Sequence, residues 1–257
     1  MERTETSRPR KTKSRAPRAG IRTDSASVPV ANQILRSLSD REYGLIRPYL
    51  ESSDLHQHLI LHEAGTEIDF AYFLNGGLAS LVVLTTDGRS VEVATVGKDG
   101  MIGTPLAMGV RQTPYRVIMQ IPGSALRLPS EVLAQVLSEA PGFQRLLSRY
   151  VMIRGMEIAQ IAACNRLHAI EQRLARWLLM SQDKVESNLL PVTHELLAQM
   201  LGTGRPSVSL AAGMLQRAGL IENLRGSVKI ANRKGLENSA CECYRAIRHF
   251  NGSLITD

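Results

Sequence analysis

In the stretch HQHLILHE, His56, His58 and His62 share strand parity, so an extended chain would turn three imidazoles to one face. Neutral imidazoles gathered in that way can hold a transition metal. Glu63 has the opposite parity, and no second histidine motif follows. Two readings stand side by side: a metal-binding β-barrel enzyme, or histidines on the wet face of a strand over a Leu55, Leu59 and Leu61 core. Cys164, Cys241 and Cys243, with His249, offer a second set as a soft metal site, as ordinary thiols or as a redox-sensing group. No G-x-S-x-G, phosphate-cradling Walker loop or H-E-x-x-H is present. No catalytic, metal-ligating or cofactor-binding residue is therefore assigned, and the chain is expected not to be an enzyme.

The third set is of another kind. VTHELLAQMLGTGRPSVSLAAGMLQRAGLI, residues 192–221, predicts two short helices meeting at a glycine turn. Thr193 is placed as N-cap of the first, and Leu196, Leu197, Met200 and Leu201 form its apolar face. Gly202 stands where a left-handed residue closes a helix. Thr203 and Gly204 turn the chain, and Pro206 sits in the first turn of the second helix, where its missing N–H costs nothing. Val208, Ala211, Ala212 and Leu215 face inward, which leaves Arg205, Ser207, Ser209 and Gln216 outside. Small polar side chains near a helix N-terminus let the helix approach base edges in the major groove. LIENLRGSVKIAN then predicts two strands around Arg225-Gly226, a basic hairpin that can reach phosphates with Arg225 and Lys229. From Thr193 to Gly235, six Lys/Arg, Arg217 among them, face two Glu, a local charge of +4. Double-stranded DNA is the partner this face fits.

The whole chain has 257 residues and a net charge of +7, but residues 1–24 alone carry +5 of it, from eight Lys/Arg and three Asp/Glu. Residues 1–30 are rich in Ser, Thr and Pro without apolar periodicity and are expected to be a disordered basic arm. Only four Phe and one Trp occur, so the core must be mainly aliphatic. No run approaches the roughly 18 apolar residues of a spanning helix. Three cysteines do not make a disulfide framework and fit a reducing cytoplasm.

The elements that must carry the DNA-facing set can be read from periodicity. Ile34, Leu35, Leu38, Leu45 and Ile46 recur near helical spacing, with Ser39 as N-cap of a second short helix. Over about 55–130 the period changes to two, with turn signals at Asn75-Gly76, Asp87-Gly88 and Pro122-Gly123. That predicts an antiparallel sandwich or small barrel, with an irregular excursion marked by glycines 97, 100, 103 and 109. A short helix is expected from an N-cap at Ser130 to about Glu139, and a longer one after Pro141. On the long helix Leu147, Val151, Ile158 and Ile161 form one stripe, with Leu146, Tyr150, Ile153 and Met156 beside it. A helix apolar on so many sides is buried on more than one face. Either it is a core helix of this chain alone, or it packs the barrel on one side and a second chain on the other through Leu147, Tyr150, Val151, Ile158 and Ile161. Gly155 would allow close approach of two helices. In the following helix Ile170, Leu174, Trp177 and Leu178 share a face, and Glu171, Arg173 and Arg176 are expected to face water.

RLARWLL, the 192–221 stretch and RGSVKI, with the β-rich segment and long helix before them, resemble the Crp/Fnr family of bacterial transcription regulators over about residues 31–250. The resemblance implies an α+β fold: an N-terminal antiparallel β-barrel of the double-stranded β-helix (jelly-roll) type over 31–140, a dimerisation helix over 141–165 and a C-terminal winged helix-turn-helix over 166–250. It further implies a cytoplasmic homodimer that binds palindromic promoter DNA, works with RNA polymerase and answers to a small-molecule effector. Arg205 falls on the family's arginine at the start of the recognition helix. The resemblance implies an acidic base reader where Pro206 stands and, in many members, an arginine where Leu210 stands, so the family's usual operator is not carried over to this chain. Cyclic-AMP binders need a carboxylate and an Arg-Ser/Thr pair, but those positions read Thr104 and Thr113-Pro114, with Arg111 and Arg116 out of register. A cyclic-nucleotide sensor is the alternative within the family. The histidine spacing of HQHLILHE also partly resembles cupins, which leaves a cupin-like metal enzyme as the alternative outside it.

Overall fold

The computed structural model of the chain describes residues 22–252 and 254. The arm expected over 1–30 lies outside the described residues up to residue 21, and its last part is not an arm. Thr23 bridges Pro29. The Arg22 guanidinium donates to the Leu35 carbonyl at 2.6 Å and pairs with Asp40 at 3.0 Å. It also lies 5.0 Å above the Tyr43 ring, which fastens this segment to the first helices.

Those helices are α1 (Gln33–Ser37) and α2 (Asp40–Ile46), and Ser39 caps α2 by accepting from the Glu42 amide, as its position predicts. Eight strands follow: β1 (Glu51–Leu55), β2 (Ile60–His62), β3 (Phe70–Leu74), β4 (Leu78–Leu84), β5 (Ser90–Val96), β6 (Met101–Ile102), β7 (Tyr115–Ile121) and β8 (Gly123–Pro129). They form two four-stranded antiparallel sheets, ordered β1-β8-β3-β6 and β2-β7-β4-β5. The layout is a jelly roll of two sheets rather than one closed barrel.

Asp87-Gly88 closes a true hairpin, with Leu84 opposite Ser90 and Gly88 at φ +81°. The other two turns are corners. β3 and β4 lie in different sheets, and so do β7 and β8, so the strands around Pro122-Gly123 flank it without pairing. The two corners cross in contact. A Cβ on Gly123 would meet the Gly76 carbonyl oxygen at 2.1 Å, and one on Gly77 (φ +84°) would meet that of Ile121 at 2.7 Å. Only glycine permits that crossing.

α3 (Ser130–Glu139) and the 27-residue α4 (Pro141–Leu167) then leave the jelly roll. Ser130 is the first residue of α3 and not its cap; its hydroxyl accepts from Arg111 instead. α5 (Ile170–Val185) leads to β9 (Leu189–Leu190), α6 (His194–Leu201), α7 (Arg205–Arg217), β10 (Ile221–Leu224), β11 (Ser227–Ile230), α8 (Arg233–Ser239) and α9 (Cys243–Gly252). β10, β11 and β9 make one small antiparallel sheet.

α5 departs from the one-faced helix its sequence predicts. Arg176, expected in water, is 3 % exposed. The cause is packing on both sides. One continuous core contains Leu78, Val82 and Ile121 of the jelly roll, Trp177 and Leu178 of α5, and Leu197, Val208 and Leu215 of α6 and α7. Polar contacts cross the same boundary. The Trp177 indole donates to Glu92 on β5 at 2.7 Å, and Ser80 on β4 donates to the other carboxylate oxygen at 2.5 Å. Lys184 pairs with Asp99 at 2.7 Å, and Lys98 pairs with Glu186. Burial alone would raise the Asp99 carboxyl, but the charge and hydrogen bond of Lys184, joined by the Arg154 charge and the Gly97 amide, together hold the group below its ordinary range.

Candidate DNA-binding surface and sensor cavity

Thr193 caps α6, its hydroxyl accepting from the Leu196 amide at 3.1 Å. Gly202 closes the helix in the left-handed region at φ +59°, ψ 44°. Those two residues fix the angle at which α7 leaves. On α7, Val208, Ala211, Ala212 and Leu215 are buried, and Arg205, Pro206, Ser207, Ser209, Leu210 and Gln216 are exposed, the partition the 3.6-residue period predicts. Thr203 is half-buried in the turn. Leu210 is 64 % exposed, far more than an aliphatic side chain placed for packing.

Arg217 does not join the N-terminal group. It stands twelve residues after Arg205, about 18 Å along the axis and turned by about 120°. Arg205 and Arg225 are exposed, and among the described residues neither takes part in an ion pair. Lys229 differs: its ammonium pairs with Glu222 across the β10–β11 hairpin at 3.0 Å. Both partners are about half exposed, so the pair is weak. It still offsets charge on a residue from which the sequence leads one to expect a phosphate contact, whereas Arg225 at the hairpin tip keeps its charge uncompensated by an ion pair among the described residues.

Two residues of this surface carry no signal in the sequence. His194 Nδ1 bonds the Ser209 hydroxyl at 3.1 Å, and its Nε2 bonds Asn223 Oδ1 at 3.1 Å. The Asn223 amide donates to Gln216 Oε1 at 2.7 Å. This chain of bonds ties the start of α6, the middle of α7 and the first wing strand into one rigid unit. Nothing in the spacing of His194 and Asn223, 29 residues apart, points to it.

Between the β4–β5–β7 sheet and α4 lies a cavity of about 240 Å³. Leu81, Val96, Ile102, Thr104, Tyr115 and Val117 line it from the jelly roll, and Val151, Arg154, Gly155 and Ile158 close it from α4. Arg154, the one charged side chain there, is committed to Glu157 at 2.5 Å and to the Thr95 carbonyl at 2.8 Å. The two out-of-register arginines are outside: Arg111 pairs with Glu67 and Arg116 with Glu63. Thr113 is buried and bonded to His62 Nε2 at 3.0 Å and to the Tyr115 carbonyl. No carboxylate lines the cavity.

Of the residues expected to meet a second chain, Leu147, Tyr150 and Ile161 are buried in this chain's own core, at 8 % exposure or less. They cannot also form a seam, because the jelly roll and α9 already cover that side of α4. Val151 is half-buried and Ile158 stands at the edge of exposure, both over the cavity. The outward stripe is Met152, Gly155, Met156, Ala159 and Ala162, and Met152 is 62 % exposed.

The three histidines do not converge. A turn at 56–59 separates β1 from β2, so parity does not carry from His56 and His58 to His62. His56 and His58 are exposed, and His62 is buried, where desolvation lowers the pKa of its ring below the ordinary imidazole value. Among the described residues they form no metal-ligating group.

A model of the cyclic nucleotide-binding domain matches residues 54–140, and a model of the Crp-like helix-turn-helix domain matches residues 172–239. The chain belongs to the Crp/Fnr type of transcription regulator. No curated protein sequence matches it. Among solved structures, it is similar to a regulator of the Crp/Fnr family from Eubacterium rectale, at 18 % identity and TM-score 0.64, over 80 % of this chain and 97 % of that one. It is similar to FixK2 from Bradyrhizobium japonicum, at 14 % identity and TM-score 0.65, over 75 % and 98 %. A third likeness, at 15 % identity and TM-score 0.62 over 75 % and 99 %, is to CLP from Xanthomonas campestris, described as a c-di-GMP responsive global regulator. At such identities these structures establish the shared fold. In this Crp/Fnr regulator α7 is the second helix of the helix-turn-helix, and α4 joins the two matched domains. Among the described residues no helix is long and apolar enough to cross a membrane.

Proposed function

We propose that the protein is a homodimer that binds palindromic promoter DNA through α7 and the wing, acts with RNA polymerase and answers to a small effector other than a cyclic nucleotide. The observation that carries the DNA reading is the exposed face of α7: Arg205, Ser207 and Ser209 at the N-terminal end, where the helix dipole also favours phosphate. Arg205 is the guanine or phosphate contact, and Leu210 offers an apolar surface to a thymine methyl. Arg225, and more weakly Lys229, reach phosphates from the wing. Thr193, Thr203 and Arg217 lie on the flanks and position the unit on the backbone.

A salt-dependent binding titration on specific and scrambled DNA separates these roles. Arg205→Ala costs about 1–3 kcal/mol on specific DNA and relaxes preference at one base pair per half-site. Arg225→Ala weakens all sequences alike and lowers the salt slope by about one unit for each phosphate it no longer neutralises, and Lys229→Ala does so by less. Unchanged specific affinity in Arg205→Ala would remove α7 as the reader.

Dimerisation is assigned to the outward stripe of α4. Met152, Gly155, Met156, Ala159 and Ala162 recur at helical spacing, and the small residues let a second α4 come close. Two chains joined there present their recognition helices to successive major grooves about one helical turn apart.

The effector reading rests on the cavity. A cyclic phosphate needs an uncompensated cation, and the Arg154 charge is already paired with the Glu157 carboxylate while a second donor is held by the Thr95 carbonyl. A ribose needs a carboxylate, and none is present. A small, largely apolar molecule fits the lining better. Calorimetry with cyclic AMP is expected to show no binding at micromolar concentration, and a micromolar dissociation constant would overturn the assignment.

A further inference from the structure

The sequence leaves the three cysteines open as thiols or as a soft metal site with His249. The fold gives a different fourth member. Cys164 lies near the end of α4, His168 is the residue that caps it, and Cys241 and Cys243 bracket the turn between α8 and α9. One ligand atom from each lies within 4.8 Å of the other three. His249 faces solvent on α9 and is not part of the group.

We propose that Cys164, His168, Cys241 and Cys243 bind one zinc ion in a tetrahedral Cys3His site that staples the end of α4 to the start of α9. A tetrahedron with Zn–S near 2.3 Å and Zn–N near 2.0–2.1 Å has S–S edges of about 3.8 Å and S–N edges of about 3.5 Å. Cys164 and Cys241 Sγ are 3.5 Å apart, and Cys243 Sγ is 3.6 Å from His168 Nδ1. Closing the widest separation takes about 1 Å of side-chain rotation.

Three features around the four ligands belong to a metal site more than to spare thiols. The second nitrogen of His168 bonds Glu242 Oε1 at 3.1 Å, the carboxylate–histidine arrangement that aims the first nitrogen at a metal. The Gln160 amide donates to Cys243 Sγ at 3.1 Å, a bond suited to a coordinated thiolate. Arg176 is buried and acts electrostatically on Cys164, yet its Nε has no hydrogen-bond partner among the described residues. Three thiolates on a divalent ion leave one negative charge, and Arg176 supplies the cation that balances it. Sulfur-rich tetrahedral coordination selects zinc over magnesium or calcium.

The position gives the site its consequence. Cys164 stands near the end of α4, His168 sits in the break before α5, and Cys241 and Cys243 come from the turn between the last two helices, so a bound ion ties the end of the long helix to the C-terminal end of the DNA-binding half.

The test uses the full chain, expressed with zinc and dialysed under reducing conditions. Elemental analysis is expected to give one zinc per chain, and cobalt(II) added to chelated protein is expected to give the visible bands of tetrahedral thiolate coordination. Chelation should lower the thermal midpoint, and zinc but not magnesium should restore it. Cys241→Ser/Cys243→Ser should abolish zinc retention, and His249→Gln should leave it intact. If the double variant fails to fold, the cobalt spectrum of the unaltered chain decides. Less than a tenth of a zinc per chain with no cobalt spectrum overturns the proposal. So does a Cys164–Cys241 disulfide that persists in reductant, or zinc retained when both cysteines are replaced.

Discussion

Met152→Glu is expected to turn the dimer into a monomer at micromolar concentration. The residue is 62 % exposed in the single chain, so the monomer accepts the carboxylate at little cost. A two-fold seam presents position 152 twice and buries both carboxylates; the nearest cation on this face of α4 is Arg149, exposed one turn earlier. Taking two carboxylates out of water in one seam costs about 3–5 kcal/mol, which weakens association at least a hundredfold. Analytical sedimentation of the variant beside the parent measures it. A variant that stays dimeric moves the seam away from this stripe, and DNA affinity should otherwise fall with the dimer. Charges at Val151 or Ile158 would be a poorer test, because both residues also wall the cavity between α4 and the jelly roll.

The second large effect is a dependence of stability on pH. Glu92 is 7 % exposed, and burial pushes its carboxyl from 4.5 up to about 7. The hydrogen bonds from Ser80 and Trp177 and the charge of Arg176 pull it down, Glu157 pushes it up, and burial prevails. Below pH 4.5 the group is protonated in folded and unfolded chains alike and costs nothing. As pH rises toward 7 the unfolded chain releases its proton while the folded chain holds it, so stability falls, by about 3 kcal/mol in all. Glu92→Gln keeps an acceptor for Trp177 and removes the titration. Urea unfolding should show the variant more stable than the parent at pH 8, with the gap closing by pH 5. Parallel pH profiles would show that Glu92 is not the group responsible.

What the sequence made legible was local. Ser39, Thr193, Gly202 and the Asp87-Gly88 hairpin act as their residue types and positions predict, because caps and two-residue turns are decided by neighbours in the chain. The inward and outward faces of α7 followed from the 3.6-residue period. The misplaced features depend on partners far away in sequence. Pro122-Gly123 carries the same signal whether its strands pair or part into different sheets. Arg176 reads as a water-facing residue until Glu92, on another domain, and the cysteine group are placed beside it. On α4 the period shows two apolar faces but not which of them the jelly roll covers. His168 stands in the cysteine group in place of His249 because α4 ends where α9 begins, a proximity between residues 75 apart.

The shared burial of α5 bears on movement. Trp177 and Leu178 belong to the same core as Leu78 and Val82 on one side and Val208 and Leu215 on the other. The reading head is thus not a tethered bead on a string, free to tumble beside its sensor. To swing away from the jelly roll it must bare part of that common core to water and give up the Trp177–Glu92 bond. An effector can drive such a swing only by binding the swung form more tightly by the free energy of that exposure. A molecule that bound both forms equally, however strongly, would leave the recognition helix where it is.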